Sequence, residues 1–270
     1  MRTPSDVVAA AGARAGSGSG AEDGYRAAIE LRGVVKSFDG HAVLRGLDLA
    51  IRPGESLTIM GGSGTGKSVL LRLIIGLLKP EAGQILLEGQ DIVPLPERDL
   101  LRVRRKVGLV FQGSALFDSL SVGENVAYAL REHTERDEAA IRARVREVLD
   151  LVGLNAVEQM DPAGLSGGMR KRVAVARAIA LPPRILLYDE PTTGLDPSNV
   201  EKVIELILDL KGKLGVTSVV VTHDMASALK VSDRLALLHE GRIAAVGTPQ
   251  EIQATHDSLI RDFMIGRVEG

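Results

Sequence analysis

Short apolar runs alternate with longer amphipathic stretches through most of the chain, and this alternation predicts strands and helices in turn. Apolar runs that stop at glycine or at polar residues are typical of buried strands. We expect strands at 28–37, 43–51, 57–60, 83–88, 107–111, 185–189, 218–222, 235–239 and 243–247. Apolar residues at helical spacing predict helices at 67–78, 137–154, 169–181 and 198–214.

The order of these elements predicts an α/β fold. Strands that alternate with helices form a mostly parallel sheet covered on both faces. The turn FDGH joins the first two strands as a hairpin, so an antiparallel β subdomain is expected beside that sheet. The helix-rich stretch at about 113–180 is then a helical subdomain inserted in a domain that spans 25–270, and residues 1–24 are expected to be a disordered tail.

Composition excludes several classes of function. The 270 residues include 33 Lys and Arg against 35 Asp and Glu, a net charge of −2, which argues against broad binding to nucleic acid. There is no Cys, so disulfides, a thiolate zinc site and a cysteine nucleophile are excluded. The most apolar stretch, 69–80, is interrupted by Arg72 and is too short to span a bilayer.

The string GGSGTGKS fits the pattern GxxxxGKS between a predicted strand and a predicted helix. In such a loop, glycines let backbone N–H groups turn inward around phosphate oxygens, and the helix N-terminus adds positive potential. Lys67 is expected to reach the β- and γ-phosphates, and the Ser68 hydroxyl to ligate Mg²⁺. The residues predicted to bind the nucleoside triphosphate are Gly61, Gly62, Ser63, Gly64, Thr65, Gly66, Lys67 and Ser68.

Polar residues follow three further apolar strands, at the edge where parallel sheets bind ligands. Asp189 ends ILLYD and is predicted to hold Mg²⁺, while Glu190 is predicted to polarise the water that attacks the γ-phosphate. His223 follows SVVVT and is predicted to contact the γ-phosphate. Gln112 follows VGLVF, and its amide is predicted to orient a water or to bind Mg²⁺.

A second anion-binding pattern, LSGGM, begins with a predicted helix cap at Ser166. Gly167 and Gly168 allow close backbone approach to an anion at the helix start. Since Ser166 lies in the helical insertion and Lys67 in the core, we expect it to serve a nucleotide held by another copy of the chain. The sequence thus predicts a head-to-tail dimer that encloses two nucleotides.

These motifs together resemble the ATPase subunit of an ATP-binding cassette (ABC) transporter, from about residue 28 onward. GGSGTGKS resembles the Walker A loop, ILLYDE the Walker B strand, LSGGM the LSGGQ signature, and VFQ, TGLDP and VTHD the Q-loop, D-loop and switch motifs. The resemblance implies that Phe38 stacks on adenine, that Ser166 and Gly168 contact the partner's γ-phosphate, and that Asp196 contacts the opposing subunit. Met169 departs from the usual glutamine of the signature.

LSGGM, FQGSALFDSLSVGENVAYALREHT and YDEPTTGLDP further resemble the ATPases of bacterial Mla-type phospholipid transporters. That resemblance implies a homodimer at the cytoplasmic face of the inner membrane, an integral membrane permease and a protein with a mammalian-cell-entry (MCE) domain. Some Mla complexes also contain a STAS-domain subunit. An ATPase of another ABC importer or exporter, or a soluble ABC protein that does not transport, are the alternatives. Five apolar residues after the Q-loop either line the permease groove or pack within the insertion: Ala115, Leu116, Phe117, Leu120 and Val122.

Overall fold

The computed structural model describes residues 26–264, and the predicted tail at 1–24 lies outside them. The described residues form two compact units. One unit contains the residues up to Leu100 together with those from Val219 onward, and the other contains Leu101–Ser218. The predicted domain from 25 to 270 stays a prediction.

An antiparallel sheet of four strands occupies part of the first unit. Its order is β2-β1-β4-β5, with β1 at Ile29–Phe38, β2 at His41–Ile51, β4 at Ala82–Leu87 and β5 at Gln90–Asp91. Asp39 and Gly40 join β1 to β2 and have φ values of 49° and 80°. Positive φ at both turn residues suits the right-handed twist of a hairpin, and Asp-Gly tolerates it. The predicted hairpin is confirmed, with its first strand extended to Phe38.

A second sheet in this unit carries the strand that leads into the phosphate loop. The strands of this sheet that belong to the first unit have the order β10-β9-β3-β8. Their bounds are β3 at Ser56–Met60, β8 at Thr217–Thr222, β9 at Arg234–His239 and β10 at Arg242–Gly247. The boundary between the two units falls inside β8. β3 and β9 are parallel, whereas β9 and β10 are antiparallel. All five residues of β3 are buried, as expected of a strand in the centre of a covered sheet.

The helices of the first unit include several that the periodicity did not predict. They are α1 at Lys67–Ile74, α2 at Glu97–Arg104, which crosses the unit boundary, α7 at Met225–Val231, α8 at Pro249–Gln253 and α9 at Ser258–Met264. The predicted helix at 67–78 was four residues too long. Gly76 takes a left-handed φ of 66° directly after the C-cap residue Ile75, and a glycine in this conformation commonly ends a helix. A Cβ at Gly76 would lie 2.8 Å from Leu100 Cδ2, so the position also leaves no room for a side chain.

Two parallel strands, β6 at Val107–Val110 and β7 at Ile185–Asp189, lie in the second unit. Gly108 brings β6 against a helix, because a Cβ there would lie 2.6 Å from the carbonyl oxygen of Ala178. Tyr188 in β7 is fully buried. With these parallel pairs and their covering helices, the predicted α/β class is confirmed.

The remaining helices of the second unit are α3 at Val122–His133, α4 at Glu138–Leu151, a short 3₁₀ helix at Pro162–Gly164, α5 at Gly167–Ile179 and α6 at Pro197–Leu214. Helices α3, α4 and α5 pack on one another. Side chains of Ser121, Asp137, Ser166 and Asp196 cap the four α-helices by accepting backbone N–H bonds. Within residues 26–264 no helix is long and apolar enough to cross a membrane.

Candidate functional site

The phosphate loop lies in the first unit, between the end of β3 and the start of α1. Lys67 is buried, and its Nζ donates to the carbonyl oxygens of Gly61 at 2.8 Å and Gly62 at 2.9 Å. Gly64 and Gly66 have φ values of 79° and 100°, which only glycine adopts without strain. The N-cap of α1 is Gly66, which has no side chain to cap the first backbone N–H groups of the helix. This shape suits an anion such as a phosphate chain.

The hairpin of β1 and β2 approaches this loop closely. A Cβ at Gly66 would lie 2.6 Å from Val43 Cγ1, so a side chain at Gly66 would push the hairpin away. Phe38 pairs with His41 at the hairpin's end and is 40% exposed. Lys36 Nζ lies 5.1 Å from the centroid of the Phe38 ring, on which an aromatic base could stack. The structure therefore brings Phe38 to the same region as the phosphate loop.

His223 follows β8, the strand next to β3 in the sheet. The residues on either side fix its backbone, because Asp224 caps α7 through Ala226 N and Ser227 N, and Asp224 N donates to Thr222 Oγ1 at 3.0 Å. The His223 ring is exposed. An exposed imidazole on a fixed backbone can donate or accept a hydrogen bond at a bound ligand.

Asp189 and Glu190 lie in the second unit, and each is 7% exposed. Asp189 ends β7, as predicted. Glu190 has a φ of 47°, a left-handed conformation that costs energy in a residue with a Cβ and is concentrated at functional sites. Thr193 Oγ1 donates to Glu190 Oε2 at 3.0 Å and so orients the carboxylate. A carboxylate held in this way can accept a proton from a water molecule.

Gln112 begins a loop that continues in an unusual conformation. Ser114 and Ala115 have positive φ values of 64° and 47°. Arg177 on α5 stabilises this backbone, since its guanidinium donates to the carbonyl oxygens of Ser114 at 2.9 Å and Ala115 at 2.7 Å. Burial lowers the pKa of Arg177. The Gln112 side chain itself is exposed.

A groove of about 410 Å³ lies beside this loop within the second unit. Its lining includes Phe111, Ala115, Phe117, Tyr128, Arg177 and Leu181. The rings of Phe117 and Tyr128 are each close to half exposed, and their centroids are 5.1 Å apart. Of the five apolar residues considered for this groove, Ala115 and Phe117 line it, Leu116 and Leu120 do not, and Val122 is fully buried within the insertion.

The signature segment has the predicted cap, because Ser166 Oγ accepts from Met169 N at 3.2 Å. Ser166 is exposed, and its hydroxyl hydrogen is a donor suited to an anion. Gly168 lies against Asn199, which in turn donates from Nδ2 to Asp196 Oδ2 at 2.6 Å. The Asn199 hydrogen bonds hold the pKa of Asp196 below its usual range. The structure thus joins the signature segment to Asp196 through Asn199.

Several contacts at the site were not predicted from the sequence. Thr193, Arg177 and Asn199 hold predicted residues in place, as described above. Lys171 is the fourth: its Nζ donates to the carbonyl oxygen of Gln112 and, at 3.2 Å, to that of Glu190. The sequence RKRVAVARAIA marks these basic residues as helical but gives no sign of what they touch.

Comparisons with known proteins identify the family of the chain. The ABC transporter family model matches residues 44–193, more than half of the chain. The probable ribonucleotide transport ATP-binding protein of Mycobacterium leprae is 42% identical over 89% of this chain and 69% of its own length. The intermembrane phospholipid transport system ATP-binding protein MlaF of Haemophilus influenzae is 39% identical over 90% of this chain and 92% of its own length.

A solved structure shares the fold. It is a dimeric ATP-binding cassette in a post-hydrolysis state with bound ADP and phosphate, 34% identical, with a TM-score of 0.76 over 82% of this chain and 98% of that one. Sequence identity above 30% over nearly all of the solved cassette places both chains in one family. The chain belongs to the ABC transporter family and is an ATPase of that family.

Proposed function

We propose that the chain is the ATP-hydrolysing subunit of a membrane complex that transports phospholipid, and that it works as a homodimer. The assignment of phospholipid as the transported molecule rests on the 39% identity to the MlaF protein, over 90% of this chain and 92% of that protein. The relative named for ribonucleotide transport is slightly more identical, at 42%, and makes ribonucleotide the second candidate cargo. The chain spans only 69% of that relative but nearly all of MlaF, which favours phospholipid.

In this proposal the phosphate loop holds ATP. Lys67 neutralises charge on the β- and γ-phosphates, which lowers the barrier because the transferring phosphoryl group gains charge on its outer oxygens. The loop geometry supports this role, since the Lys67 ammonium already lies against the carbonyl oxygens that shape the cradle. Phe38 stacks on adenine, and His223 contacts the γ-phosphate.

Glu190 accepts the proton of the attacking water. Its carboxylate is held by Thr193 and its backbone by Lys171, so the base is oriented before the nucleotide arrives. The reaction consumes ATP and water and yields ADP and phosphate. Asp189 next to it is buried at the end of β7 and binds the metal rather than the water.

The donor set fits Mg²⁺. Ser68, Gln112 and Asp189 offer a hydroxyl, an amide and a carboxylate oxygen, the hard ligands that Mg²⁺ prefers while keeping several waters. Among the described residues no cluster of three or more His, Asp or Glu could hold a metal by itself, which suits an ion that arrives with the nucleotide. When bound, Mg²⁺ supplies positive charge at the transferring phosphoryl group.

A second copy of the chain completes each site in this proposal. Ser166 and Gly168 contact the γ-phosphate held by the partner, and Asp196 contacts the opposing subunit. The exposure of Ser166 and Asp196 supports a role at such an interface, and the solved cassette that resembles this chain is dimeric. Two closed sites then break apart after hydrolysis, which is the movement that drives transport.

A permease receives that movement. We propose that a short helix of an integral membrane permease binds the groove lined by Phe117 and Tyr128, where two exposed aromatic rings offer apolar contact area. In this proposal the chain works at the cytoplasmic face of a bacterial inner membrane, where it binds the permease. An MCE-domain protein that binds lipid, and a STAS-domain subunit, complete the complex by analogy with Mla-type systems.

The substitution Glu190→Gln tests whether Glu190 is the general base of hydrolysis. This substitution keeps the size of the side chain but removes the proton acceptor, so we expect hydrolysis to fall by about 10²- to 10⁴-fold with ATP binding intact. Glu205→Gln, an exposed residue on α6, is the matched control and should hydrolyse ATP at the wild-type rate. Full ATPase activity of the Glu190 variant would remove Glu190 as the base.

The cargo is tested in vesicles that contain the permease and this ATPase. We expect ATP-dependent movement of a fluorescent phospholipid, abolished by Glu190→Gln. Uptake of labelled ribonucleotide with no movement of phospholipid would instead support the second candidate.

A further inference from the structure

Lys171 is a buried charge that contacts no reacting atom in the proposed reaction. It lies on α5, five residues after Ser166, and is 6% exposed. Its Nζ donates to the carbonyl oxygen of Gln112, 59 residues earlier in the chain, and to that of Glu190, 19 residues later. One ammonium group therefore joins the helix of the signature segment to the backbone of two predicted catalytic residues.

Burying this ammonium is costly, so its retention needs a reason. Burial lowers the pKa of Lys171, and the negative charges of Asp189 and Glu190 partly oppose that shift. An apolar side chain of similar length would pack at this position without a desolvation penalty. What it could not do is donate to two carbonyl oxygens at once. The bonds themselves are therefore the feature that distinguishes lysine here.

Both loops that Lys171 joins contain residues with a strained backbone. Glu190 has a left-handed φ, as do Ser114 and Ala115 in the loop that Gln112 begins. Such conformations cost about 1 to 3 kcal/mol each and persist only where the surroundings enforce them. Arg177 stabilises the part of the Gln112 loop that lies beside the groove, by donating to the carbonyl oxygens of Ser114 and Ala115. Lys171 stabilises the start of this loop by donating to the carbonyl oxygen of Gln112, and it connects that residue to Glu190 through its second hydrogen bond.

We infer that Lys171 is a positioning residue for hydrolysis: it fixes the backbone of Gln112 relative to that of Glu190 and anchors both to α5. This inference rests on the proposed roles of Glu190 and Gln112. As a consequence, the same lysine on α5 holds the backbone of the water-activating Glu190 and that of Gln112. Helix α5 is the helix that Ser166 caps. Loss of the ammonium displaces the reacting groups without touching the residues that bind the phosphate chain.

The test compares Lys171→Met, which removes both hydrogen bonds to the carbonyl oxygens, with Lys171→Arg, which keeps a positive charge and several N–H donors. Lys202→Met, an exposed lysine on α6, is the matched control. Steady-state ATPase assays on the full chain give kcat and KM, equilibrium titration gives the Kd for ATP, and thermal denaturation reports folding. We expect Lys171→Met to lower kcat by about 10- to 100-fold, because small misplacements of catalytic groups have effects of this size. KM and the Kd for ATP should stay within about twofold of the wild type, and Lys171→Arg should recover most of kcat.

The outcomes separate this inference from the proposed function. If Glu190→Gln abolishes hydrolysis but Lys171→Met retains wild-type kcat, the inference about Lys171 is wrong while the proposed function stands. If Glu190→Gln hydrolyses ATP normally, the proposed function has failed first. Equal changes in kcat and KM, or no recovery with arginine, would mean that Lys171 only stabilises the fold. Should Lys171→Met not fold, Lys171→Gln is measured by the same criteria, and failure of both to fold would also assign Lys171 a purely structural role.

Discussion

Substitution of the second signature glycine by alanine tests the packing of the signature segment. A Cβ added at Gly168 would lie 2.5 Å from Asn199 Oδ1 and 2.7 Å from Asn199 Cγ. Ordinary contact begins near about 3.5 Å, so the amide of Asn199 has to move by about 1 Å. That movement breaks its hydrogen bond to Asp196 Oδ2, now 2.6 Å long. The first residue of the pair, Gly167, is the natural control, since its added Cβ would meet only Leu195 Cδ2 at 3.5 Å.

The expected magnitude follows from the difference between the two glycines. Both lie in the first turn of α5, so alanine gains a similar helix-propensity benefit of up to about 1 kcal/mol at each. Only Gly168→Ala forces the Asn199 amide out of place, and overpacking of this kind costs about 1 kcal/mol or more. We therefore expect Gly168→Ala to melt about 2 to 4 °C below Gly167→Ala.

Thermal denaturation of both variants, each with and without Asn199→Ala, measures this difference. Asn199→Ala removes the amide atoms at 2.5 and 2.7 Å and leaves the new methyl group facing the Cβ of residue 199 at 3.2 Å. The difference in melting temperature between the two glycine variants should therefore shrink. Equal melting temperatures in the wild-type background, or a gap that Asn199→Ala does not change, would refute the steric argument.

Two further predictions concern binding and stability. Lys67→Ala should weaken ATP binding by about 10- to 100-fold in equilibrium titration, because it removes charged hydrogen bonds to the phosphates; an unchanged Kd would contradict the role given to Lys67. Tyr188→Phe should raise the free energy of unfolding by about 1 kcal/mol in urea denaturation, since the buried Tyr188 hydroxyl has no hydrogen-bond partner. A loss of stability in the phenylalanine variant would show that the hydroxyl is satisfied in solution.

The sequence predicted best where local chemistry decides the structure. The strand β7 ends at Asp189, directly after its apolar run, as predicted. Ser166 caps α5 through its hydroxyl, as predicted for a serine before two glycines. Asp39 and Gly40 specify their hairpin turn by the same local logic. At these positions a few neighbouring residues determine the conformation.

Prediction failed where distant residues decide. The end of α1 at Ile74 is a different case, because Gly76 is a local end signal, and the apolar residues Leu77 and Leu78 extended the predicted helix past it. Lys171 looks like any basic residue on a helix surface, yet its partners Gln112 and Glu190 are 59 and 19 residues away. The predicted catalytic residues carried motifs of their own, whereas the residues that support them did not.

The central proposition is that one chain holds only half of each hydrolytic site and that Ser166 of a second copy supplies the rest. Sedimentation equilibrium of the Glu190→Gln variant with ATP tests it most directly, because ATP stays bound without being consumed. We predict a particle of twice the chain mass with two ATP bound. The double variant Glu190→Gln/Ser166→Arg should sediment as a single chain. A variant that binds ATP and yet sediments as a single chain would contradict the account.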